Sequence, residues 1–279
     1  MTLLAVVELG RGLVPVDEPV IFPDDEGVLR GRGVFETLRV YGGAPFRLDD
    51  HLNRFAMSAA RVGLRAPDRE AFAEASAQAV AAASAPDAVL RLLWTAGREG
   101  ADRPLGLVLV SSLPTDLEEL RDRGLRVATV PWAPGALAGA KSTSYGENLA
   151  ARDNAARRGA DDALLIAADG TVLEAPTANV WWREGDRLLT PTLALPILAG
   201  VTRAAVSELA PAAGYTVEEG SFLLERLARA DEIFLSSSVR EVMAVVSLDG
   251  RPVGAGTPGS AAIALQRALH EAAGYPLPR

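Results

Sequence analysis

Hydrophobic and polar positions along the chain alternate with two different periods, and the change of period marks the elements. Val34–Tyr41 (VFETLRVY) alternates with period two, as a half-buried strand does, and Gly42-Gly43 supplies a hairpin turn after it. Pro45–Leu48 is then predicted as the return strand, and Asp49 as the N-cap of a helix running to Arg61, with Leu52, Phe55, Ala59 and Val62 on one face. Arg69–Ser84 reads as an Ala-rich helix ended by Pro86. Leu3–Val7, Val89–Trp94 and Leu105–Val110 are short apolar runs of buried-strand type.

The pattern breaks at Ser111–Gly124, a polar stretch with one Pro, predicted to be a linker with a short helical turn. Beyond it, strands are expected at Leu125–Val130, Asp162–Ala167, Val172–Glu174, Asn179–Arg183, Arg187–Thr190, Glu232–Ser236 and Val242–Leu248. Helices are expected at Glu147–Arg158, Val201–Ala210 and Ala261–Ala273. The prediction is a mixed α/β and α+β chain in two domains: a small N-terminal domain (1–112), a linker (113–124) and a larger C-terminal domain (125–279).

Composition narrows the function classes. Hydrophobic residues make up 49% and charged residues 23%, which suits a folded globular chain. The absence of cysteine excludes disulfides, Cys-ligated zinc and a thiol nucleophile, and two histidines leave little for a multi-histidine metal site, so no metal is expected. A net charge of −8 without a basic cluster argues against nucleic acid as a partner. No apolar run reaches the roughly 18 residues needed to cross a bilayer, and MTLLAVVELGRG lacks the basic start of a signal peptide. A cytoplasmic location without membrane contact is expected.

Of 28 Lys and Arg residues, 27 are Arg; Lys141 is the only lysine. Guanidinium stays protonated in proteins, whereas an amine can be tuned to a nucleophile, so any Schiff-base chemistry at a side chain falls to Lys141. Arg bias with a leftover surface lysine explains the same count. Glu174, on a strand pattern, is either a strand-end carboxylate paired with arginine or one held against a protonated ring nitrogen. Val201-Thr202 opens a helix after Gly200, where free N–H groups and a hydroxyl suit an anion, although Thr there is commonly a simple cap. Ser237 and Ser238 end a strand with hydroxyl donors, and Arg54 is a candidate phosphate clamp or a surface charge. An aldehyde for Lys141, a cationic ring nitrogen for Glu174 and a phosphate for Arg54, Thr202, Ser237 and Ser238 describe one ligand, pyridoxal 5′-phosphate.

These blocks, in order GRGVFETLRVYGGAPF, HLNRF, KSTSYGEN, GADDALLIAADGTVLEAPTANVWW, TPTLALPILAGVTRAAV and ADEIFLSSSVREV, resemble the class IV aminotransferases, pyridoxal-phosphate enzymes of fold type IV, over nearly the whole chain. The resemblance implies that Lys141 carries the cofactor and moves the proton. It implies that Glu174 contacts the pyridine nitrogen, and that Arg54, Val201, Thr202, Ser237 and Ser238 hold the phosphate. Phe35, Glu36 and Thr37 match the segment beside the active site. A homodimer acting on a small-molecule amine, with the cofactor between the two domains, is also implied.

Within the family, KSTSYGEN and VFETLRVYGG are most similar to aminodeoxychorismate lyases, which release pyruvate to give 4-aminobenzoate for folate synthesis. The alternative is a transaminase for D-amino acids, branched-chain amino acids or (R)-amines. Arg32, Arg98 and Arg240 are candidates for binding a substrate carboxylate, and Tyr145 for lining the pocket.

Overall fold

The computed structural model describes residues 1–275. The chain divides into two compact units: Met1–Thr115 with Gly139–Tyr145, and Asp116–Ala138 with the chain from Gly146 onward.

The first unit contains β1 (Leu3–Glu8), β2 (Gly12–Val14), α1 (Glu26–Leu29), β3 (Gly33–Tyr41), β4 (Ala44–Pro45), α2 (Leu48–Arg61), α3 (Arg69–Ala83), β5 (Ala88–Thr95) and β6 (Leu105–Ser111). Its strands form one sheet in the order β2-β1-β6-β5-β3-β4, every neighbouring pair antiparallel. The period-two pattern of β3 turns Val34, Leu38 and Val40 inward, where they join Leu90, Leu92, Val108 and Val110. Phe55 and Ala59 of α2 and Phe72 and Ala79 of α3 close this core. Phe72 meets Phe55 edge-on at 5.1 Å and Trp94 at 5.9 Å.

The predicted return strand stops at Pro45. Arg47 turns left-handed (φ 51°) and α2 begins at Leu48, so Asp49 lies inside the first turn instead of capping it. Its carboxylate pairs with Arg69 on α3 and still favours the positive end of the helix.

The second unit contains α4 (Leu117–Arg123), β7 (Leu125–Pro131), α5 (Gly146–Arg157), β8 (Asp162–Ile166), β9 (Asn179–Glu184), β10 (Arg187–Pro191), α6 (Val201–Leu209), β11 (Thr216–Gly220), α7 (Leu224–Leu227), β12 (Glu232–Ser237), β13 (Glu241–Leu248), β14 (Arg251–Pro252) and α8 (Ser260–Ala272). The sheet runs β11-β10-β9-β12-β13-β7-β8, with β14 added to β13. Pairs β10–β11, β13–β7 and β7–β8 are parallel and the others antiparallel. Both faces are covered, which is why these strands read as continuous apolar runs. Val180, Trp182, Ile233 and Leu235 pack on one face. Trp181, Phe234, Val242 and Ala244 pack on the other against Val206 of α6 and Leu265 of α8.

Three expectations change here. The short helical turn expected within the linker over 113–124 is helix α4, and it is packed within the second unit, because Leu117 is buried and Arg121 pairs with the buried Glu241. Residues 139–145, which carry Lys141, cluster with the first unit and not with the C-terminal one, because their backbone bonds go to β3. Val172–Glu174 makes an isolated bridge to Ile166 and no regular strand.

Candidate active site

In the first unit, strand β3 and helix α2 hold the lysine segment by its main chain. The Phe35 amide donates to the Lys141 carbonyl (3.0 Å) and the Thr143 amide to the Gly33 carbonyl (2.8 Å). The Lys141 amide donates to Ser58 Oγ of α2 (3.1 Å). The half-buried Lys141 places Nζ 4.6 Å from the centre of the Phe35 ring, which the Tyr145 ring meets edge-on at 5.4 Å. Thr37 lies two residues on along β3, on the same side of the strand as Phe35, and is half-buried.

The other face of β3 carries Glu36, which is fully buried. Arg54 donates to it twice, from Nε to Oε1 (2.8 Å) and from Nη2 to Oε2 (2.6 Å), and His51 Nδ1 lies 2.7 Å from Oε2. Burial alone would push the Glu36 carboxyl up; the Arg54 charge and the bonds from Arg54 and His51 bring it down to about 2. Burial pushes the His51 imidazole below its ordinary value, against the pull of Glu36 and with the push of the Arg54 and Lys141 charges.

In the second unit, Asn179 at the start of β9 is the centre of a small polar cluster. Its Nδ2 donates to Glu174 Oε2 (3.2 Å) and to the Leu198 carbonyl (2.9 Å). The Leu198 amide donates to Glu174 (3.1 and 3.2 Å), so the half-buried carboxylate is held from two sides. Gly200 caps α6, and a Cβ there would fall on Asn179 Oδ1. Val201 and Thr202 follow, both buried, in the first turn. Across the sheet Asn179 pairs with Ser236, whose hydroxyl accepts from Trp181 Nε1 (3.0 Å). Half-buried Ser237 and Ser238 come next. Asn179 thus joins Glu174, the start of α6 and the end of β12 in one neighbourhood.

The three arginines considered for a substrate carboxylate each face a carboxylate of the chain. Arg32 pairs with Glu26 (2.8 Å). Arg98 grips Asp24 (2.9 Å) and stacks over Phe22 at 4.5 Å. Arg240 binds the buried Asp162 and donates to Thr177 Oγ1 (2.9 Å). Sequence reasoning missed His51, Ser58 and Asn179. A carboxylate at the inward position of an alternating strand, and an Asn opening an apolar one, are the signals that point to partners. Among the described residues no group of three or more His, Cys, Asp and Glu is placed to hold a metal, and no helix is long and apolar enough to cross a membrane.

Residues 33–248 match the family described as amino-transferase class IV. The chain is 35% identical over 265 residues to a bifunctional aminodeoxychorismate lyase / D-amino acid transaminase of Mycobacterium tuberculosis, covering 88% of this chain and 92% of that protein. A fold IV transaminase of Curtobacterium pusillum superposes with a TM-score of 0.89 at 34% identity, covering 96% of this chain and 98% of the other. The PLP-bound form of a hypothetical aminotransferase of M. tuberculosis gives 0.90 at 32% identity over the same shares.

Proposed function

Because the chain belongs to the class IV aminotransferases and has their two-domain fold type IV architecture, we propose that it is a pyridoxal 5′-phosphate enzyme acting as an aminodeoxychorismate lyase. Its substrate is a small-molecule amine, 4-amino-4-deoxychorismate, and its products are 4-aminobenzoate and pyruvate.

The donor set fits the cofactor. Lys141 supplies the one side-chain amine for its aldehyde, and Glu174, already holding two N–H donors, suits its ring nitrogen. Arg54, the α6 start at Val201 and Thr202, and the Ser237 and Ser238 hydroxyls suit its phosphate. The close approach of Asn179 Oδ1 leaves no room for a side chain at Gly200, so the helix opens on a glycine. When bound, the cofactor supplies an electron sink beside the substrate's amine-bearing carbon.

The chain's own residues do the rest. Glu174 keeps the ring nitrogen protonated. Main-chain bonds from β3 and α2 fix where the Lys141 stem begins, so the amine works from a defined origin. Lys141 takes the proton from the substrate ring carbon that bears the amine. The electron pair left behind forms the new ring double bond as the C–O bond to the enolpyruvyl group breaks. The departing enolpyruvate takes back the proton held by Lys141 and becomes pyruvate. The aromatic ring is a driving force that plain amino transfer lacks.

The observation that carries the reading as a cofactor enzyme is the lone lysine pinned by its own backbone between β3 and α2, and the lyase reading adds the similarity of KSTSYGEN and VFETLRVYGG to aminodeoxychorismate lyases. The relative that bears both activity names favours a second reading, a D-amino-acid transaminase using the same groups. Purified protein supplied with aminodeoxychorismate should yield fluorescent 4-aminobenzoate. Amino transfer from D-amino acids to a 2-oxo acid without 4-aminobenzoate formation would establish the second reading instead.

A further inference from the structure

Glu36 sits where packing alone favours an aliphatic side chain. Its neighbours on the same face of β3, Val34 and Leu38, are core residues with no exposed surface. A buried ion pair is a weak source of stability, since well-packed apolar residues of similar volume commonly do as well. The charge therefore calls for another explanation, and the geometry offers one.

Glu36 takes the Nε–Nη2 edge of Arg54 with both carboxylate oxygens. Two parallel bonds fix the plane of a guanidinium as well as its position. One turn further along α2, Ser58 lies on the same helix face as Arg54 and accepts the Lys141 amide. Phe35, adjacent to Glu36, donates to the Lys141 carbonyl. A single strand and a single helix thus orient both the guanidinium and the amine. His51, three residues before Arg54, completes the cluster by meeting Glu36 at Oε2.

We propose that Glu36 is a positioning residue: it aims the Arg54 guanidinium so that the edge it does not occupy meets the cofactor phosphate. The inference rests on the reading of Arg54 as a phosphate ligand. It goes beyond that reading by assigning the carboxylate a directional role and not one of charge balance. The two roles give opposite signs. If Glu36 merely offset charge, removing its charge would make Arg54 more attractive to phosphate. If it aims Arg54, removing it loosens the guanidinium and weakens the phosphate contact.

The test compares binding of pyridoxal 5′-phosphate with binding of pyridoxal, which lacks the phosphate, to the full chain stripped of cofactor. Visible absorbance follows each titration, and the Kd for pyridoxal divided by the Kd for pyridoxal 5′-phosphate measures the phosphate contribution. Glu36→Gln keeps the shape but offers one acceptor where the carboxylate offered two. The ratio should fall about tenfold, the lower end of what losing an outer-shell partner of a ligand costs in metal sites. Glu36→Asp keeps the charge and loses the reach, and should lower the ratio in the same direction. Arg54→Gln should lower it most, and the Glu36→Gln/Arg54→Gln double variant should match Arg54→Gln alone.

A ratio that rises or stays unchanged in both Glu36 variants while Arg54→Gln lowers it overturns the positioning role and leaves the Arg54 reading standing. A ratio unchanged in Arg54→Gln overturns both. Should Glu36→Gln lose its far-ultraviolet circular dichroism, Glu36→Asp carries the comparison, since a charge-balancing role predicts no change there.

Discussion

Glu36, Arg54 and His51 show what one buried carboxylate imposes on its surroundings. Arg54→Leu would strand that carboxylate in the core, and the expected loss is about 3–5 kcal/mol in urea unfolding monitored by Trp fluorescence. The same cluster makes the fold sensitive to acid. The Glu36 carboxyl is lowered from 4.5 to about 2 in the folded chain, so its contribution is complete above pH 4.5 and is lost as pH falls toward 2. His51 is also lowered, from 6.5, so below that pH the unfolded chain binds a proton that the folded one resists, and stability again falls with pH. The groups facing His51 are Glu36, Arg54 and Lys141. The melting temperature should therefore decline from pH 7 to pH 4, and His51→Gln should flatten the upper part of that decline; an unchanged slope would contradict the assignment. At the proposed reaction centre, Lys141→Ala should abolish turnover and the visible absorbance of bound cofactor, because the chain has no second lysine to substitute.

At the scale of elements, the α6 start depends on one missing side chain. Gly200→Ala would drive a methyl group into Asn179 Oδ1, which also orients Glu174 through Nδ2. The expected result is a loss of about 1–3 kcal/mol, as for other overpacked sites, together with weaker cofactor binding in an absorbance titration. Gly135, with nothing near its absent Cβ, is the control position, where Ala should be tolerated. Most elements were legible because their apolar periods are local: β3, α2, α3, β9 and β12 all lie within a few residues of their predicted spans. Lys141 and Glu174 stood out by chemistry. What stayed hidden depends on partners distant in sequence. Glu36 meets Arg54 across 18 residues, and the lysine segment meets Ser58 across 83. The buried Glu241, at φ 59°, draws Arg121 from α4 and Gln266 and His270 from α8. No local pattern announces such a convergence, and SSLPTDLEELRDRG shows a short helical turn but not the tie to Glu241 that packs it. The three candidate arginines show the same limit: charge is legible, but the carboxylate that already occupies it is not.

For the molecule as a whole, a net charge of −8 and a pI near 5.0 put the charge minimum within the range where His51 weakens the fold, and above the range where Glu36 does. Turbidity after brief exposure should peak near pH 5 and fall on either side. We also propose a homodimer as the working form. Phe22, Val28 and Leu29 are each more than half exposed within eight residues of one another in the first unit, and light scattering should give twice the mass of the 29.2 kDa chain. A chain that stays monomeric at every concentration would end that proposal. The return of residues 139–145 to the first unit has a consequence for synthesis. The N-terminal sheet can form once residue 111 has left the ribosome, but the strand–helix seat for the lysine waits about thirty residues more, while the second unit's first strand, β7, is already being made. A nascent or truncated chain ending at Thr115 would hold Glu36, Arg54 and Ser58 with no amine beside them. Supplied in trans with the remainder of the polypeptide, such a fragment could regain chemistry only by threading that seven-residue segment back into place.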